Sequence, residues 1–275
     1  MSVLFGIVVG LALGLTGGGG SIFAVPLLIY GLGVAPHSAV AISLGAVAIT
    51  AAFGAAEGLA RSIVERRAAL IIAVAGMLSA PLGVMLGARL SESVVMAAFA
   101  VLMLGVASRM AWRARAAPQE SSVVRARVAP EAASDASTVC RYSRDGRLRL
   151  NAPCSAALAV AGLVVGVLSG LFGVGGGFLI VPALMLITEM GIHRAVATSL
   201  AVITFIGLSG LGSAVVAGRE IDWTLTGLFV LGGVLGMAAG RLLARYLAGA
   251  TLQSVFALAM AAIAVGMLVQ TLVFA

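Results

Sequence analysis

The sequence contains no lysine, and only ten of its 275 residues are acidic. Charged residues of all kinds make up 10% of the chain, against roughly a quarter in a soluble domain. Hydrophobic residues make up 61%, too much apolar surface for a soluble fold to cover. This shortage of charge excludes a water-soluble globular domain and points to a bilayer as the solvent. Aromatics are also sparse, at 5%, and every positive side chain is Arg, giving a net charge of +7. No nucleic-acid-binding module pattern accompanies that charge, so no nucleic-acid partner is expected and the Arg residues are read as topology signals. The two cysteines, Cys140 and Cys154, make no disulfide framework and are read as free thiols. No GxxxxGK[ST] run, HExxH or Cys/His cluster is present, so neither ATP hydrolysis nor a metal is expected, and no cofactor. Ser169-Gly170 and Ser209-Gly210 are weak nucleophile contexts with no His spaced to serve them, so no catalytic residue is assigned and an enzyme is not expected.

What is present is apolar sequence in long runs. A membrane-crossing helix needs about 20 mostly apolar residues. Four such stretches (about 3–34, 38–60, 68–88 and 94–112) precede a polar interval, and four more (about 155–189, 195–218, 223–247 and 252–274) follow it. The N-terminus is apolar from the start and lacks a charged region and a cleavage site, so it reads as a retained first span rather than a secretory signal. The division is therefore 1–112 as a first repeat, 113–152 as an Arg-rich linker, and 153–275 as a second repeat. The expected fold is all-α, a polytopic bundle of about eight helices in two four-helix repeats.

The halves match at a constant offset of 156 residues. Gly14, Gly17, Gly19, Gly20, Pro26 and His37 pair with Gly170, Gly173, Gly175, Gly176, Pro182 and His193, and HSAVAISL (37–44) pairs with HRAVATSL (193–200). Ala88-Arg89 pairs with Ala244-Arg245. The first stretch of each half is the longest and is interrupted by glycines, GLTGGGGSIFAVP (14–26) and GLFGVGGGFLIVP (170–182). Consecutive glycines cost about 1 kcal/mol each against Ala in a helix, so both segments are read as broken helices. Paired breaks at corresponding positions of a duplicated membrane protein mark the binding site of secondary transporters. A single crossing per broken stretch gives four crossings and parallel repeats, whereas a re-entrant hairpin gives an odd count and inverted repeats. The parallel arrangement is the reading preferred from sequence.

These residues carry a resemblance. A GGGxxxxP-type element opening each half and an HxAVAxSL element opening the next helix resemble the TauE/SafE family of sulfite and organosulfonate exporters. The likeness covers the chain outside the linker and is fullest at Gly175 to Pro182 and His193 to Leu200. The first half departs from it, with Ser21 at the third glycine and Ile42 where the second half has Thr198. The resemblance implies export of sulfite or an organosulfonate.

Half-helices starting after a break present free N–H groups and a positive dipole end, a ready site for a small anion. Gly17, Gly18, Gly19, Gly20, Gly175, Gly176 and Gly177 are therefore candidate substrate contacts, supported by Pro26 and Pro182. Close packing through small residues is the competing reading, and it is preferred for Gly83/Gly87, Gly232/Gly236 and Gly236/Gly240. Ser43, Thr198 and Ser199 are candidate substrate donors, against plain interhelical hydrogen bonding. His37 and His193 are candidate gating or proton-linked residues, or merely helix-start residues. Glu57 is explained by an i,i+4 pair with Arg61.

The expected function is secondary transport of a small anion, with a membrane scaffold or accessory protein, or transport of another anion, as alternatives. The expected partners are the anion and membrane lipid, with a homo-oligomer compatible. The expected location is a bacterial inner membrane with the linker cytoplasmic. Arg61, Arg66, Arg67, the linker and Arg219 fall on one side by this count, and Arg89, Arg194, Arg241 and Arg245 near the other.

Overall fold

A computed structural model describes residues 1–116, 140, 151–188, 190–219, 221–243 and 249–273. Among these there is no β-strand, only an isolated bridge between Cys140 and Thr188. Six helices among the described residues are long and apolar enough to cross a membrane. The first half runs α1 (Ser2–Thr16), a return segment, α3 (Pro36–Ala60), α4 (Arg66–Arg89) and α5 (Glu92–Ala116). The return segment is irregular, a 3-10 turn at Gly19–Phe23, a single α-turn α2 (Ala24–Pro26) and a π turn at Leu27–Gly31. The second half runs α6 (Ala152–Phe172), α7 (Gly177–Ile187), α8 (Ile192–Val216), α9 (Trp223–Leu243) and α10 (Gly249–Val273). The eight apolar stretches thus become ten α-helical elements, because each long first stretch divides at its glycines.

The chain forms two compact units that cut across the repeats. One holds α1 to α4 with α6 to α9. In the other, α5 and α10 pack on one another.

Within the larger unit, residue neighbours fix the helix directions. Gly45 of α3 lies on Leu211 of α8, and Gly58 on Ala197, so these two equivalent helices run antiparallel. Gly6, Gly10 and Gly14 of α1 lie on Gly232, Gly233 and Gly240 of α9, a parallel pair. Gly162, Gly166 and Gly170 of α6 lie on Ile72, Gly76 and Ala80 of α4, the same contact shifted by 156 residues. Thr50 of α3 meets Gly233 of α9, and Gly54 meets Met237, so α3 and α9 are also parallel. It follows that α1, α3 and α9 point one way and α4, α6 and α8 the other. The helices α1 and α3 share a direction, so the segment between them must return. It does so by folding back, with Gly20 against Ala12 and Leu13 and Gly31 against Phe5. Each glycine break is a hairpin, not a crossing, and the halves are inverted. The parallel arrangement preferred from sequence is corrected by this geometry.

The inversion also redistributes the charges. Glu57 pairs with Arg61, one turn on, and with Arg241 of α9, while Arg194 reaches Glu65 at 3.7 Å. These contacts gather Arg61, Arg194 and Arg241, with Arg66 and Arg67, at the end of the unit where α3 meets α4. Arg219 instead lies at the opposite end, where its guanidinium donates to the carbonyl oxygens of His37 and Val84, each at 3.1 Å. Arg194 and Arg241 therefore belong with Arg61, and Arg219 does not, the reverse of the count along the sequence. Arg245 and the linker Arg residues lie outside the described residues.

The cysteines are a second correction. Cys140 and Cys154 form a disulfide with Cα atoms 5.1 Å apart, inside the range such a bond requires. The physical cause is a contact far from either in sequence. The Cys140 N–H donates to the carbonyl of Ile187 at 3.0 Å, which carries Cys140 to the first turn of α6.

Apolar side chains point outward as well as inward. Leu70, Leu78 and Leu82 of α4 are exposed while Ala68, Ile72 and Val84 are buried, the pattern of a helix with lipid on one face.

Candidate functional site: two opposed glycine breaks

The helices α1 and α6 end the same way. Each closes on a glycine in the left-handed region, Gly17 at φ 72° and Gly173 at φ 72°, whose N–H returns to the carbonyl four residues earlier, Leu13 and Ser169. Glycine is the residue that takes this conformation without steric cost. The chain then doubles back, and the two turns meet. Gly18 lies on Gly177, so that a Cβ on Gly177 would stand 2.9 Å from the Gly18 Cα. Only residues without a side chain permit two backbones to approach this closely. Gly17, Gly18, Gly20 and Gly175 to Gly177 are all buried.

The neighbouring helices brace the breaks crosswise. Ser43 of α3 donates to the carbonyl of Gly173 at 2.6 Å, and Ser199 of α8 donates to the carbonyl of Gly17 at 2.8 Å. Each half therefore caps the carbonyl released by the break of the other. Both hydroxyls are fully buried, and a carbonyl freed inside a membrane must find a donor. Val40 packs on Gly173 and Val196 on Gly17, again at the same offset.

The other candidates are placed differently. Thr198 is buried, but its hydroxyl accepts the N–H of Glu65 at 3.0 Å, which ties α8 to the α3–α4 turn. Ser21, which replaces a glycine in the first half, donates to the carbonyl of Gly18 at 2.8 Å. Gly19 sits beside Thr16. Pro26 is buried in the return segment, and Pro182 lies inside α7, half-buried. His37 and His193 are at opposite ends of the unit, since their helices are antiparallel. The Arg219 guanidinium stands 3.4 Å from the Nδ1 of His37, whereas His193 is exposed. Burial holds the Arg219 pKa below its ordinary value. The separation of the two His residues follows from inversion, which no count along the sequence displays.

The structure gives a different standing to a residue that sequence reading took only as a weak nucleophile context and set aside. Ser169, at the end of α6, is fully buried and its hydroxyl has no hydrogen-bond partner among the described residues. Its signal in sequence is slight, one hydroxyl in an apolar helix four residues before a break. No group of three or more potential metal ligands occurs among the described residues.

Comparison with known proteins gives a consistent result. The family model described as “Sulfite exporter TauE/SafE” matches residues 2–267. A “Probable membrane transporter protein” of Xylella fastidiosa (strain 9a5c) is 36% identical over 262 residues, covering 94% of this chain and 90% of the relative. The “Probable membrane transporter protein YunE” of Bacillus subtilis (strain 168) is 27% identical over 253 residues, covering 87% of each chain. No solved structure matches.

Proposed function

We propose a function from a plain premise: this chain belongs to the TauE/SafE sulfite exporter family, and its relatives are named probable membrane transporter proteins. The reading is that it carries a small sulfur oxyanion, sulfite or an organosulfonate, out of the cell through a site where the two glycine hairpins meet. The observation that carries it is the apposition of Gly18 and Gly177, with Ser43 and Ser199 each holding the other half's break. Two half-spanning elements that meet inside an inverted pair of repeats are where secondary transporters bind their substrates. The test is flux into proteoliposomes. Radiolabelled sulfite and methanesulfonate should enter protein-containing vesicles well above the rate of empty ones. Equal rates for both would remove the substrate assignment.

The charges support an orientation. Arg61, Arg66, Arg67, Arg194 and Arg241 occupy one end of the larger unit, and Arg89 and Arg219 the other. The positive-inside rule puts the first end in the cytoplasm of a bacterial inner membrane. Asn151, where the linker rejoins α6, falls at that end, and the linker is cytoplasmic with it. A cysteine placed at Gly33, in a background without Cys140 and Cys154, should react with a membrane-impermeant maleimide on intact cells. One placed at Ser62 should react only after the membrane is opened. The opposite pattern would invert the orientation.

A further inference from the structure

We propose that the second break alone holds the substrate's oxyanion, with the Ser169 hydroxyl and the leading N–H groups of α7 as its donors, and that this site takes monoanions in preference to dianions. The inference deepens the transport reading and rests on it.

Three observations carry it. The first is the unpartnered hydroxyl of Ser169. A polar atom buried without a partner is costly, and native proteins rarely keep one without a use. The second is its position. Ser169 lies four residues before Gly173, and its Cβ is 3.6 Å from where a Cβ on Gly176 would stand, beside the nearer Val165 side chain, so the bare backbone of Gly176 is turned toward this stretch of α6. The third is the start of α7. The carbonyl of Gly176 accepts the first bonds of that helix, from Leu179 and Ile180. The N–H groups of Gly177 and Phe178 precede that ladder and have no backbone acceptor among the described residues. The helix is 11 residues long, enough to carry a dipole whose positive end lies at these groups. A hydroxyl and two amides on one turn suit an oxyanion with several equivalent oxygens.

The first break keeps the glycine, Gly20 at the position of Gly176, but lacks the donors. Leu13 stands at the position of Ser169. The carbonyl of Gly18 is taken by the Ser21 hydroxyl. The return begins with a five-residue 3-10 turn rather than a regular helix. Inverted repeats that share a fold thus differ in chemistry, and one anion per chain is the consequence.

The charge preference follows from the surroundings. The groups nearest to where a Cβ on Gly175, Gly176 or Gly177 would stand are, among the described residues, Val47, Ile203, Val165, Ser169 and Gly18. None is cationic. Amide and hydroxyl dipoles can replace the water of a single negative charge, but the desolvation cost of an ion rises with the square of its charge. A dianion carries about four times the desolvation cost of a monoanion, and no Arg stands among these nearest groups to offset it. The chemical class is therefore hydrogensulfite and sulfonates, with sulfate and the sulfite dianion disfavoured.

Titration calorimetry on the full chain in lipid nanodiscs tests this, with methanesulfonate and sulfate as the probes. Methanesulfonate should bind at least ~10-fold more tightly than sulfate. Ser169→Ala should weaken methanesulfonate by ~10-fold or more, while its ligand-free melting temperature stays equal to or above that of the native chain, because the lost hydroxyl bonds nothing in the protein. An unchanged dissociation constant in Ser169→Ala overturns the inference and leaves the transport reading standing. So does a variant that melts lower or fails to fold, since the hydroxyl would then be structural. Sulfate binding as tightly as methanesulfonate sinks the charge preference. A native chain that binds neither probe and moves no sulfite in vesicles overturns both readings.

Discussion

Replacing Gly177 by Leu should stop transport while the protein still reaches the membrane. The reason is geometric. A Cβ at this position would come 2.9 Å from the Cα of Gly18 and would collide with the tip of Ile203. The Ile203 side chain can turn away, but the Gly18 backbone cannot. The two hairpins would have to separate, and the N-terminal groups of α7 with them. Overpacking costs about 1–3 kcal/mol, and the upper part of that range applies where backbone is the obstacle. At about 1.4 kcal/mol per decade, the expected loss is ~100-fold in initial flux. Gly212→Leu is the matched control, because a Cβ there meets nothing within 4 Å. Vesicles carrying it should transport at the native rate. Near-native flux in Gly177→Leu would show that the meeting of the breaks has no part in transport.

Replacing Gly236 by Leu should have a larger effect, on the fold itself. Gly236 belongs to the row Gly232, Gly236, Gly240 that lets α9 lie on α1, and a Cβ on it would run into the Ile7 carbonyl, with the Ile7 Cα and carbonyl carbon at 2.8 Å. Backbone meets backbone along the whole crossing, so no rotamer relieves the clash. Helix association in lipid depends on such close packing, having no hydrophobic drive between helices. The expected result is a chain that aggregates on extraction, with no monodisperse peak in size-exclusion chromatography. Gly227→Leu, about two and a half turns earlier on the same helix and with open space around it, should elute as the native protein does. A monodisperse Gly236→Leu would mean that α1 and α9 are not held by this row.

Much of this arrangement was legible in the residues. The duplication, the two breaks, the role of the Gly232–Gly236–Gly240 row and the Glu57–Arg61 pair all follow from spacing and composition. The direction of α1 relative to α3 does not. A run of some 30 apolar residues with glycines in its middle satisfies a bilayer equally as one bent crossing or as a hairpin, and hydropathy cannot tell the two apart. The contacts that decide it, Gly31 on Phe5 and Gly45 on Leu211, are side-by-side placements without any polar signature. The errors in charge placement descend from this one ambiguity, since counting the second break as a crossing puts Arg194, Arg219 and Arg241 at the wrong end relative to Arg61. Thr198 illustrates a different limit. Its neighbour Ser199 reaches a break, but one residue of helix turns Thr198 toward the Glu65 N–H instead, and only the helix's rotation in the fold fixes which of the two looks inward. The disulfide was hidden for a third reason, a docking contact at Ile187 that neither cysteine announces.

The exchange of α1 onto α9, and of α6 onto α4, bears on how such a chain could be divided. Each half lends its first helix to the other and receives one in return, so neither half has a closed interior of its own. If the chain were cut within the linker and the two pieces produced separately, each would insert with an unpaired glycine face toward lipid. Produced together, they would have to enter the membrane in opposite orientations before they could assemble. A single-half ancestor would have faced the same demand, and could have met it only by inserting both ways round and pairing with itself.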